Sequence, residues 1–290
     1  MTSALIAVTI GLFILQTMAL RFVKADTIPE KLLINGAFSL LGAVVLGACG
    51  LLLPGWISLD GVTIVCGILF GILFAATLLF YNLALASGPM SYTAFCFSAS
   101  MVISVLAGIV FFRERLRNTP LALILFLAAF FLLNAPGSEK TSRKKGWGVL
   151  CLFTFLCNGG LSVVQKAHQN ATNGQESTGL MFVGFGTAAV LCIFMWAVCR
   201  MRGARTSTVR SVVKSNGWNI VFLAAASVGG NLLLTYLAGQ TTASFLFPIV
   251  QGSIVIGVTI LSAVFLKEKQ PLTGWIGVGV GIAAVVVISL

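Results

Sequence analysis

Thr77 and Tyr81 stand four residues apart in one apolar run, and Asn231 and Thr235 repeat that spacing in another. Residues three or four apart share a helix face, so each pair would turn two uncharged polar groups to one side. Gln16, Asn158, Gln165 and Gln251 add amides to further apolar stretches. Hydroxyls and amides both donate and accept hydrogen bonds, and inside hydrocarbon an unpaired one costs several kcal/mol. Taken singly, each of the eight is read as a bond between helices; taken together, they are read as the lining of a path for a small polar or amphipathic solute.

Other chemistries find little support. No Asp, Glu, Lys or Arg falls near the middle of an apolar run, so the middle of the chain's spans offers no evident proton carrier. His168 and Lys166 fall where an apolar run gives way to a polar segment and are read as interfacial, snorkelling residues, with anion binding or proton carriage as the alternative. The seven cysteines form no CxxC and have no histidine set beside them, so neither a disulfide framework nor a metal site is expected. A protease-like Ser–His, paired-Asp or HExxH arrangement is missing from the apolar runs, so no enzyme and no cofactor is expected. GWIGVGVGI (274–282) follows no strand; its Gly277 and Gly281, like Gly67 and Gly71, form a GxxxG face for close helix packing.

The elements that must hold these residues are set by composition. The chain of 290 residues is 58% hydrophobic and only 9% charged, where a soluble domain carries about 25% charge. Its mean hydropathy is +1.05. At 1.5 Å per residue, about 20 residues cross a hydrocarbon layer about 30 Å thick, which gives room for about ten spans. Charge, Pro and turn residues cut the chain into candidate helices at 3–23, 32–53, 60–86, 90–112, 118–135, 146–167, 178–199, 217–239, 243–266 and 271–290. The first twenty residues lack a basic start and a cleavage site and are read as a retained span. The net charge of +11 lies between the apolar runs, as topology signals do, so no nucleic-acid partner is expected.

Two short words mark a repeat: VFFRERL (110–116) and VFLKEKQ (264–270), which carry Glu114 and Glu268. A shift of 154 residues lays one on the other and aligns the third to fifth spans with the eighth to tenth; Thr77 then falls on Asn231 and Tyr81 on Thr235. The halves are 1–136 and 146–290, joined by a basic linker at 137–145. Five spans is an odd number, so the second half must enter the membrane from the other side. The expected fold is therefore an all-α polytopic membrane protein of ten transmembrane helices in two inverted five-helix repeats. Ser98, Met101, Val105 and Gly108 form a stripe on the fourth span, matched by Gly252, Val255, Thr259 and Ser262 on the ninth, and these are read as a packing or gating seam. Pro248 with Gly252 is a candidate hinge. Glu114 and Glu268 mark corners where a fourth helix of each half turns into a fifth, pairing with nearby basic residues or capping the next helix.

Two five-span halves, each with a Phe-rich fourth helix ending in a basic residue and Glu, resemble the ten-helix, EamA-like branch of the drug/metabolite transporter superfamily. The resemblance covers nearly the whole chain. Gly11-Leu12 and Gly159-Gly160 stand where the family often has Trp-Gly. The resemblance implies a secondary transporter, an exporter of small organic metabolites or drug-like solutes, working by alternating access in the cell membrane. Its expected partners are the solute and the lipid bilayer, with a monomer as one reading of the assembly and an oligomer as the other. The alternative is a membrane partner or receptor subunit that transports nothing.

Most of the eighteen Lys and Arg fall on one side of the membrane if both termini lie outside, the arrangement the positive-inside rule favours. The resemblance implies the opposite orientation. A reporter fused after Leu290 is expected to read as non-cytoplasmic; a cytoplasmic signal would reverse the assignment.

Overall fold

The computed structural model describes residues 2–53, 55–88, 90–114, 118–133, 144–204, 207–265 and 271–290, with the side chains of 90–92 and 262 excepted. The apolar runs become α1 (Thr2–Arg21), α2 (Ile28–Leu52), α3 (Gly61–Leu85), α4 (Met90–Ala99), α5 (Met101–Val110), α6 (Thr119–Leu133), α7 (Trp147–Ala171), α8 (Ser177–Met201), α9 (Val209–Gln240), α10 (Ala243–Phe265) and α11 (Leu272–Ser289). Among the described residues nine apolar helical stretches are long enough to cross a membrane, and the shorter α6 is the tenth. The protein is an all-helical, ten-span, multi-pass membrane protein, as its composition requires.

Local chemistry explains several boundaries. Thr27 caps α2, and Glu30 completes the reciprocal capping box. Asp60 caps α3, its Oδ1 accepting from the Thr63 amide at 2.6 Å. Two boundaries differ from the expectation drawn from charge. α7 runs to Ala171, past His168, because nothing in the segment after Gln165 breaks a helix. α9 begins at Val209 inside the basic connection, since Arg and Lys are good helix formers and polarity alone does not end a helix.

The fourth span is divided. Ser100 separates α4 from α5 with backbone angles of φ −58° and ψ −17°, and the chain passes through it on i→i−3 bonds, Ser100 N to Phe97 O at 3.3 Å and Ile103 N to Ser100 O at 3.0 Å. A tight turn of this kind narrows the helix and frees carbonyls of the normal ladder.

The chain forms two compact units. The first comprises residues 1–79 and 164–240; in it α1 packs on α9, and α2 on α8 and α9. Phe38, Phe70, Phe74 and Phe185 fill its core, with the Phe74 and Phe185 rings edge to face at 5.4 Å. The second comprises residues 80–163 and 241–290; in it α6 packs on α11, and α10 on α5 and α11. Both units draw on helices from either side of the linker at 137–145, so compactness follows a different partition from the sequence repeat.

Small residues set the closest approaches, as expected where lipid supplies no hydrophobic drive for helix association. A Cβ on Gly277 would lie 3.1 Å from Ala129 O, and one on Gly281 would lie 2.7 Å from the Ile256 side chain. On α3, a Cβ at Gly71 would meet Gly184 O at 2.5 Å and Ala188 N at 3.0 Å, both backbone atoms that cannot turn aside. Gly71→Val is therefore expected to destabilise the protein by about 1–3 kcal/mol, read as a lowered melting temperature in detergent, whereas Gly186→Ala, which meets nothing within 4 Å, is expected to be neutral.

Candidate functional site

In the first unit the predicted polar residues divide into satisfied and unsatisfied groups. Gln165 on α7 donates from Nε2 to Thr235 Oγ1 on α9 at 2.9 Å, and both side chains are buried. This pair fits the reading of amides as bonds between helices. One turn earlier on α9, Asn231 gives its Nδ2 to Ser227 O at 2.9 Å. By contrast, Gln16 Oε1 and Thr77 Oγ1 are buried with no hydrogen-bond partner among the described residues, and so are Asn35 Nδ2, Ser39 Oγ and Ser227 Oγ. An unsatisfied buried polar atom costs about 1–3 kcal/mol. Gln16 Oε1 and Thr77 Oγ1 thus differ from Gln165 and Thr235, whose side chains bond to each other.

In the second unit the polar group gathers at the divided span. Ser100 Oγ donates to Phe97 O at 2.6 Å, closing the turn locally. Asn158 on α7 spends no amide hydrogen on its own helix: Nδ2 donates to Ser100 Oγ at 2.6 Å and to Phe97 O at 3.2 Å. The Tyr81 ring lies over the Phe97 ring with centroids 5.0 Å apart. Ser104, one turn beyond Ser100, keeps a buried hydroxyl with no partner among the described residues. Gln251 is half-buried on α10, three residues after Pro248. The tight turn at Ser100 thus leaves Phe97 O accepting from the Asn158 amide as well as from the Ser100 amide and hydroxyl.

The described seam residues are closely packed where they meet other helices. Ser98, Met101, Val105 and Gly108 are all buried, and Gly252 faces Phe126, whose ring would overlap any added Cβ. Pro248 lies inside α10, where it removes one backbone donor. The Ser262 side chain and Glu268 lie outside the described residues.

The sequence reading of Glu114 as a local corner residue missed its partner. Glu114 reaches across the second unit to α10: Oε1 accepts from Ala243 N at 2.7 Å and Oε2 from Ser244 N at 2.8 Å. A carboxylate on two free N–H groups at a helix start satisfies orphan donors and faces the positive end of the dipole. Gly108 makes room, since a Cβ there would lie 2.6 Å from Glu114 Oε2. Arg113, at φ 51°, turns the chain so that the carboxylate points back. The start of α10 was legible, but the identity of its cap was not, because the cap comes from 129 residues away.

Lys166 and His168 also differ from expectation: neither snorkels, and both are buried. Lys166 Nζ donates to Ala238 O at 2.8 Å near the end of α9, where a cation complements the negative end of the dipole. His168 sits in a hydrogen-bonded cluster with Thr63 and Glu176. The signals that could have found it were present: the only histidine, followed by Gln169, and Glu176 just before the next apolar run.

The model of the EamA-like transporter family matches residues 145–290. The chain belongs to the EamA-like transporter family. It is thus a membrane transporter of the drug/metabolite type, and family members are transporters rather than enzymes. No curated protein matches. One solved structure, described only as "Crystal structure of protein", aligns over 99% of this chain and 95% of its own at 19% identity with a TM-score of 0.77. That similarity establishes a shared fold and no more.

For this EamA-like transporter, Glu114→Ala is expected to lower stability by about 1–2 kcal/mol through loss of the α10 cap. Glu114→Gln, which keeps one acceptor oxygen, is expected to lose less. Thermal unfolding in detergent would check the order; equal melting temperatures for both variants and the parent would count against the cap.

Proposed function

We propose that this EamA-like protein is a secondary transporter that exports small, uncharged or weakly polar organic metabolites or drug-like solutes across the cell membrane. Alternating access between the inverted halves 1–136 and 146–290 is the mechanism this reading assigns, with the protein acting as a monomer. The observation that carries the solute class is the pair of unsatisfied groups on spanning helices, Gln16 Oε1 and Thr77 Oγ1. A hydroxyl and an amide oxygen without protein partners suit a solute that offers neutral donors and acceptors. A strongly charged ligand would need a buried counter-ion beside them, and neither group supplies one. Asn158, Ser100 and Tyr81 at the divided fourth span are the corresponding residues of the second unit, with Gln251 beside Pro248 as a further candidate. Export as the direction rests on resemblance to the family.

A thermal-shift screen of amino acids, nucleosides, sugars and lipophilic amines on the purified protein tests this. At least one class is expected to raise the melting temperature; a ligand at 100 times its Kd stabilises by about 2.7 kcal/mol. Thr77→Val and Gln16→Leu are each expected to weaken that ligand about tenfold, while solute flux in proteoliposomes follows the same order. Stabilisation indifferent to both changes, or a bound solute that never crosses the membrane, would overturn the assignment.

A further inference from the structure

The polar cluster around His168 lies entirely within the first unit and takes no part in the solute site proposed above. Its hydrogen bonds have one consistent direction. Gln169 Nε2 donates to Gln175 O at 3.0 Å and to His168 Nδ1 at 3.0 Å, so both amide hydrogens are assigned and Nδ1 must accept. The imidazole is then neutral with its hydrogen on Nε2, which lies 2.9 Å from Thr63 Oγ1. Thr63 in turn donates to Glu176 Oε2 at 2.6 Å. The chain therefore runs from imidazole through hydroxyl to carboxylate.

Three features make this arrangement more than a satisfied core histidine. First, Gln169 is 1% exposed, yet its Oε1 has no partner among the described residues. It belongs to the same amide that meets Nδ1, so rotating that amide brings an acceptor to the ring. Second, Glu176 holds a left-handed backbone at φ 63° and ψ 22° at the start of α8. Its carboxylate makes no capping bond to its own helix and is committed to Thr63 instead. A non-glycine residue in that conformation carries a backbone cost, and such costs gather at functional sites. Third, a second carboxylate is close: Asp60 Oδ1 accepts from the Thr63 amide at 2.6 Å, and hydrogen bonding to Thr63 holds the Asp60 carboxyl below its usual range.

We propose that His168, with Thr63, Glu176, Asp60 and Gln169, is a proton-binding site of this transporter, taking up one proton at His168 Nδ1. The N–H bond at Nδ1 forms as an O–H bond of hydronium breaks, leaving water. The Gln169 amide turns over, Oε1 accepts from the new Nδ1–H, and Nε2–H continues to donate to Thr63. Gln175 O keeps the Thr172 hydroxyl, 2.8 Å away. The added proton puts a positive charge on a fully buried ring; burial opposes that charge, and the neighbouring Glu176 and Asp60 side chains favour it. The charged groups that bear on the ring are Glu176 from the start of α8 and Asp60 from the start of α3. On α7 itself Lys166 is the nearest cation, and its Nζ is bound to Ala238 O. The last turn of α9 carries no basic residue.

Loading of this site would be felt by neighbouring helices. The amide that must turn abuts α9, where a Cβ on Gly239 would lie 2.8 Å from Gln169 Oε1. The segment before α3 is tied to α8 by Thr178 Oγ1 donating to Trp56 O. The site deepens the transporter reading by giving it a place for a coupling proton, and its proton affinity is measurable whether or not that reading holds.

The chain has a single histidine, so ring nitrogen-15 spectra of histidine-labelled protein in detergent report His168 alone. At pH 8 a neutral ring with its proton on Nε2 is expected, converting to imidazolium as the pH falls while the protein stays folded. Glu176→Gln and Asp60→Asn are each expected to weaken proton affinity about tenfold, a downward shift of about one pH unit in the midpoint. Asp60 is exposed, so its variant serves if Glu176→Gln does not fold. A ring that stays neutral to the onset of acid unfolding, a ring with its proton on Nδ1 at pH 8, or a midpoint indifferent to the carboxylate changes would each overturn the site. Because the titration needs no solute, a failed solute screen leaves it readable, and a neutral ring leaves the Gln16 and Thr77 site standing.

Discussion

Hydrocarbon offers no hydrogen bonds, so every backbone polar group inside the membrane must find its partner within the protein. The interior of a helix meets this demand by itself, but its ends and any break do not. In this transporter those places are met by side chains, several brought from distant parts of the chain. Glu114 covers the start of α10, Lys166 the end of α9, and Asn158 with Ser100 the divided fourth span. Asp60 and the Thr27–Glu30 pair do the same for α3 and α2 at short range. The scarcity of charge in the sequence thus reflects its employment, since Glu30, Asp60 and Glu114 all accept backbone N–H bonds.

This leaves the middles of the spans to uncharged groups and to shape. Where two helices press together, small residues such as Gly71 and Gly277 permit backbone contact, and an occasional amide–hydroxyl pair such as Gln165–Thr235 adds a directional bond. Other groups, Gln16 and Thr77 among them, have no partner among the described residues, and these are the ones the proposed function assigns to a solute.

Much of the fold was legible because burial in lipid leaves a local record. The apolar runs and the divisions between spans follow from short windows of sequence. The site was legible only in part. Thr77, Gln16 and Asn158 stood out as polar groups among apolar ones, but no window distinguishes Thr77, whose hydroxyl lacks a partner, from Thr235, whose hydroxyl has Gln165. From sequence alone His168 reads as interfacial, because polar residues follow it. The helix continues through them, and its partner Thr63 lies 105 residues earlier.

The sequence by itself determined that this is a membrane-spanning helical protein of about ten spans, with a transporter's family resemblance and a polar set confined to uncharged groups in mid-span. Those properties follow from transfer free energies and helix periodicity, which act over one or two turns. Only the tertiary structure decided which polar atoms are satisfied, that the fourth span breaks at Ser100, that Glu114 caps α10, and that His168 lies buried between an amide and a carboxylate-bound hydroxyl. Each of these depends on a partner that packing brings from another part of the chain, and no local property of either partner specifies the pairing.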